Sequence, residues 1–163
     1  GHLFIWELAR KSMGDITLYT SLLLDPEWMH DYNRVYTDLY KQIFAYIFEN
    51  VGKPDGIWIY EDMGYKNGLF ASPKVLAEVI FPYYAELNAF FHDHDLPVVL
   101  HTCGSTAAAL PLIVEAGWNA ATKSTGLITS TPSRTNSVSP QLITWSPIRI
   151  RIGRPSQRAR SVT

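Results

Sequence analysis

Residues 55–62 read DGIWIYED and residues 96–104 read LPVVLHTCG, and the fold turns on these two stretches. In the first, Ile57 to Tyr60 form an apolar run bounded by Asp55-Gly56 and Glu61-Asp62. In the second, Val98 to His101 follow Pro97 without polar alternation. Short runs of this kind suit strands buried on both faces, as in a parallel sheet. Between them, Ser72-Pro73 reads as a helix cap followed by proline at the first helical position. Leu76, Val79, Ile80, Tyr83, Leu87, Phe90 and Phe91 then keep helical spacing, and Pro82 inside that run predicts a kink or a split.

The same rhythm extends both ways. Upstream, Asp25-Pro26-Glu27 opens a helix whose apolar face is read as Met29, Tyr32, Tyr36, Leu39, Ile43 and Ile47, ended by Gly52 and Pro54. Downstream, a third helix is expected over about 105–116, broken at Pro111 and stopped by Gly117, with a further strand from Trp118. Strands separated by helices predict βα units, an α/β fold with a parallel sheet.

Composition narrows the function classes. The 163 residues have a net charge of −1, which suggests neither nucleic-acid nor acidic-membrane binding. The longest apolar run, Ala107 to Val114, is far short of a membrane span. No signal peptide is legible, so a cytoplasmic protein is expected. Cys103 is the only cysteine, which excludes an internal disulfide and a multi-cysteine zinc site within one chain. The chain opens on Gly1 rather than Met, so the start of the gene product is expected to lie upstream.

These averages conceal a seam. Residues 1–121 carry 7 basic and 15 acidic side chains, whereas residues 122–163 carry 7 basic and none acidic. All aromatics but Trp145 precede the seam. The division expected is a folded unit over 1–120 and a basic, Ser/Thr-rich tail over 121–163. Such a tail lacks the apolar mass to fold alone and is expected to be irregular. Its arginines, Arg149 to Arg160, read as solvated rather than as a specific binding patch.

In parallel βα folds, ligands sit at the carboxyl ends of the strands. Here those ends offer Glu61 and Asp62 on one strand and His101 and Cys103 on the other. Glu61 and Asp62 are candidate catalytic carboxylates, and His101 and Cys103 are candidate metal ligands. Ordinary roles compete: loop capping for the two acids, and a satisfied histidine beside a small buried thiol for the other pair. His92-Asp93-His94-Asp95 looks metal-like but reads more simply as a solvated helix end.

The stretch DGIWIYEDMGYKNGLFASPKVLAEVIFPYYAELNAFF, followed by LPVVLHTCGS and LPLIVEAGWNA, resembles the uroporphyrinogen decarboxylase superfamily. The likeness covers most of residues 1–120. It lies in the order of parts: a strand ending in an acid, Ser-Pro opening a helix, Pro-Tyr-Tyr within it, and a strand ending in His-x-Cys-Gly. It implies a (β/α)8 TIM barrel, of which these residues supply the central part. It also implies one of two chemistries. The zinc-dependent methyltransferase branch moves a methyl group from a corrinoid protein to a thiol, and uses a His-x-Cys pair as zinc ligands. His101 and Cys103 match that pair, while that branch's later cysteine has no counterpart; two ligands are too few, and the missing ones are expected from an absent C-terminal part or from a carboxylate such as Glu61 or Asp62. The decarboxylase branch of porphyrin and haem biosynthesis acts on a tetrapyrrole without metal or cofactor. Its tyrosine is missing from LFIWELAR at residues 3–10, and it lacks the His-x-Cys pair. A third reading is an inactive, truncated remnant, and no turnover is expected from these 163 residues alone. The likeness stops near Ala120, where acids and most aromatics vanish together. A shifted reading frame from that point is expected, with a genuine basic tail as the alternative.

Overall fold

A computed structural model describes residues 2–123 and 126–129. The chain is a mixed α/β protein. Its five-stranded sheet has the order β1 (His2–Leu3), β2 (Ile57–Tyr60), β5 (Val98–His101), β6 (Ala120–Lys123), β7 (Gly126–Thr129). The first four strands are parallel, and Tyr60 stands opposite His101 in the β2–β5 register. β7 pairs antiparallel with β6, because a two-residue connection is too short for a crossover. Residues 126–129, expected in an irregular tail, therefore form a strand. The rest of that expectation, including Trp145 and Arg149 to Arg160, lies outside the described residues.

Three helices precede β2: α1 (Ile5–Met13), α2 (Asp15–Leu24) and α3 (Pro26–Asn50). The cap at α3 is as read, with the Asp25 carboxylate accepting from the Trp28 N–H at 3.2 Å. Its buried face is as read in part: Met29 is buried, and Tyr32 and Tyr36 pack partly buried against the core. Leu39 and Ile43 are exposed, and the inward positions are Met29, Asn33, Thr37 and Phe44. Hydropathy missed Asn33 and Thr37 because each finds a backbone partner inside: Asn33 donates to the Val79 carbonyl and Thr37 to that of Asn33.

A short hairpin of β3 (Gly64–Tyr65) and β4 (Gly68–Leu69) follows β2. The next helix comes in two pieces, α4 (Pro73–Val75) and α5 (Phe81–His92), joined by a π-helical turn over Leu76–Ile80. The Phe81 N–H reaches back five residues to the Leu76 carbonyl. The split falls where Pro82 predicted it. Proline has no N–H for the preceding turn, and the wider turn also relieves its ring. After β5, a 3-10 turn (Ala107–Ala109) leads into α6 (Leu110–Glu115), whose residue Pro111 sits in its first turn.

Burial alternates along the strands instead of covering both faces. Ile57, Ile59, Val98 and Leu100 are buried in the core with Tyr84, Leu87 and Phe91 of α5. Trp58, Tyr60, Val99 and His101 occupy the other face, where Trp58 is 42% exposed. The apolar runs predicted two covered faces; the described residues lay helices on one.

Candidate metal centre at the strand ends

Strand periodicity continues past Tyr60 and His101 and sorts the site residues. Glu61 and Met63 are buried toward the core, and Asp62 falls on the face of Trp58 and Tyr60. On the neighbouring strand, His101 and Cys103 share that face and Thr102 is buried. Asp62, His101 and Cys103 each offer a ligand atom, and these atoms lie within 4.8 Å of one another. Cys103 Sγ is 3.3 Å from His101 Nε2, which is 3.9 Å from Asp62 Oδ1. Among the described residues this is the one such cluster. In the 92–95 stretch, His92 pairs with Asn119 and His94 with the Phe90 carbonyl.

Each member of the cluster is held. The Asp62 carboxylate accepts from the Cys103 N–H at 2.7 Å and the Tyr60 hydroxyl at 2.6 Å. That bond pushes the Tyr60 phenol up to about 12, with burial adding to it. The Asp62 carbonyl accepts from the Trp6 indole N–H at 2.8 Å. His101 Nδ1 lies 3.2 Å from Thr122 Oγ1 of β6, and the Tyr60 ring stacks on the imidazole at 5.1 Å and 10°. With Nδ1–H donating to Thr122, Nε2 keeps its lone pair toward Asp62 and Cys103.

Two glycines bring the strand-end loops together. Gly104 has φ of 81°, and a Cβ there would stand 2.3 Å from the Gly64 carbonyl carbon. The Ser105 N–H donates to the Tyr65 carbonyl at 2.7 Å across this contact. The loop after β5 thus lies backbone to backbone on the loop after β2, which sets Cys103 beside Asp62.

Glu61 stays apart from the cluster and has a structural role. Its fully buried carboxyl sits at the N-terminus of α1, accepting from the N–H groups of Phe4 and Trp6 and from the Tyr84 hydroxyl. Of the two candidate catalytic carboxylates, Asp62 lies at the cluster, whereas Glu61 caps α1 and points into the core. Burial pushes this carboxyl up to about 8, against those hydrogen bonds. Between its ordinary 4.5 and about 8, the folded chain holds a proton that the unfolded chain has lost. The associated stability is complete below that window and lost as pH rises through it. Asp15, drawn down by Arg10, acts in the opposite sense, but below the window. The expected result is a melting temperature that falls from about pH 5 to about pH 8, with a loss on the order of a few kcal/mol. Thermal scans should show the slope in the native chain and a nearly flat line in Glu61→Gln; equal slopes in both would assign the effect elsewhere.

The sequence reading missed Tyr60, Thr122 and Trp6 as supports of the cluster. For Tyr60 a signal existed, since it lies two residues before Asp62 and shares its strand face. Thr122 and Trp6 come from distant segments and carry no local signal. The chain has no significant match among protein-family models, curated proteins or solved structures. Among the described residues, no helix is long and apolar enough to cross a membrane.

Proposed function

We propose that Asp62, His101 and Cys103 hold a zinc ion, and that the chain is part of a methyltransferase of the uroporphyrinogen decarboxylase superfamily. The observation that carries this reading is the convergence of the three ligand atoms within 4.8 Å, at the carboxyl ends of adjacent parallel strands. The donor set fits. Zinc takes nitrogen, sulfur and carboxylate oxygen, and its bond lengths put tetrahedral ligands about 3.3–3.6 Å apart. The 3.3 and 3.9 Å separations are close to that range. Three protein ligands with an open fourth position are the pattern of a catalytic rather than a structural zinc.

The chemistry a bound zinc supplies is thiol acidification: a substrate sulfur loses its proton near neutral pH and becomes able to take a methyl group from a methylated corrinoid. The chain's own residues do the rest. Thr122 holds the imidazole at Nδ1, and the Cys103 N–H and Tyr60 hydroxyl fix the carboxylate. Four parallel strands with helices on one side, and a second face carrying Trp58, Tyr60 and His101, are what a segment of a TIM barrel would supply.

Metal analysis of the purified 163-residue chain tests the site. About one zinc per chain is expected, and Cys103→Ala or His101→Ala should each weaken binding by about 100-fold or more. In a chain that completes the barrel, Cys103→Ala should lose zinc and thiol methylation together. A zinc-free chain that decarboxylates a tetrapyrrole would replace this reading with the decarboxylase one. A chain with neither metal nor activity would leave the remnant.

A further inference from the structure

Tyr60 touches two of the three cluster residues by two different means. Its hydroxyl donates to Asp62 Oδ2 at 2.6 Å, and its ring lies nearly parallel to the His101 imidazole, 10° apart at 5.1 Å. Both contacts follow from position. Tyr60 is directly opposite His101 in the β2–β5 register and two residues before Asp62 on the same face. Asp62 Oδ1 faces Cys103 and His101, whereas Oδ2 is the oxygen bonded to the phenol. The phenol on Oδ2, with the Cys103 N–H on Oδ1, therefore sets which carboxylate oxygen points at the cluster, and the ring limits rotation of the imidazole.

We infer that Tyr60 is the positioning residue of the metal centre, holding Asp62 as a one-oxygen ligand and His101 in its ligating orientation. This inference rests on the proposed metal site. Trp58 provides an internal contrast. Its ring also lies 5.3 Å from that of His101, but at 49°, far from the parallel stacking of Tyr60. Groups that orient metal ligands typically change affinity by about 10- to 100-fold when removed.

Cobalt(II) is the probe, because its visible absorption reports both binding and ligand geometry. The native 163-residue chain is expected to bind cobalt with a tetrahedral, thiolate-containing spectrum. Tyr60→Phe keeps the ring and removes the hydroxyl. It should weaken cobalt binding by about 10-fold or more and alter the d–d bands, as Asp62 becomes free to present both oxygens. Tyr60→Leu removes both contacts and should weaken binding further, whereas Trp58→Phe should leave the bands unchanged. Circular dichroism on each variant checks that the fold persists; Tyr60→Phe preserves packing and is the deciding variant. Native-like affinity and bands in Tyr60→Phe would overturn the positioning role and leave the metal site standing. Absence of cobalt and zinc binding by the native chain would overturn the metal site and this inference with it.

Discussion

Glu61→Ala is expected to destabilise the chain by on the order of 3–5 kcal/mol, a large share of the about 5–15 kcal/mol that holds an ordinary domain folded. The carboxyl is fully buried and accepts from three groups: the Phe4 N–H, the Trp6 N–H at 2.8 Å and the Tyr84 hydroxyl. Alanine leaves all three donors buried without this acceptor, and each such loss costs about 1–3 kcal/mol. It also cuts a tie between the first helix and the sheet. β1 is only two residues long, so Glu61, with the Trp6 indole bond to the Asp62 carbonyl, holds the N-terminus of α1 against β2. Glu61→Gln keeps one acceptor oxygen but turns an NH2 toward donors, so a smaller loss of about 1–2 kcal/mol is expected. Urea denaturation followed by circular dichroism separates the two variants. A loss below about 1 kcal/mol in Glu61→Ala would show that water or repacking satisfies the donors.

Gly104→Ala is expected to damage fold and site together. The residue sits at φ of 81°, and an added Cβ would meet the Gly64 carbonyl carbon at 2.3 Å, its oxygen at 2.4 Å and the Tyr65 nitrogen at 2.6 Å. These are backbone atoms, so no side-chain rotation relieves the clash. The two loops must separate, and separation stretches the 2.7 Å bond from the Cys103 N–H to Asp62. A stability loss of about 2–4 kcal/mol is expected. Cobalt or zinc affinity should fall by at least about 10-fold. Gly14→Ala is the control. It shares φ of 81°, but its Cβ would meet nothing within 4 Å. It should cost about 1–3 kcal/mol through backbone strain alone, since its ψ of 158° lies in a region reserved for glycine, and leave metal binding intact. Equal behaviour of the two variants would remove the loop-to-loop contact from the account.

Much of the architecture was legible because it rests on local chemistry. Asp25-Pro26 and Ser72-Pro73 open helices since a side-chain oxygen before a proline satisfies a free N–H, wherever the helix then packs. Pro82 divided its helix because proline lacks a donor in any context. The buried face of α3 was legible only in part: Met29, Tyr32 and Tyr36 were read, Asn33 and Thr37 were not. Asn33 and Thr37 belong in the core only because the Val79 carbonyl and the preceding turn receive their hydrogen bonds. Polarity alone argues for the surface, and the partner of Asn33 lies 46 positions away.

The same division runs through the site. By itself the sequence determined that two acids end one strand, that His101 and Cys103 end another, and that residues two apart on an extended chain share a face. It could not choose between Glu61 and Asp62, which are adjacent and therefore point to opposite faces. The choice was made by the register that sets Tyr60 opposite His101, and by the helical layer that buries Glu61 under Tyr84. A strand repeats every two residues, so a slip of one position would have exchanged the capping acid for the acid of the cluster. That register is fixed by packing between segments some forty residues apart, and only the tertiary structure decides it.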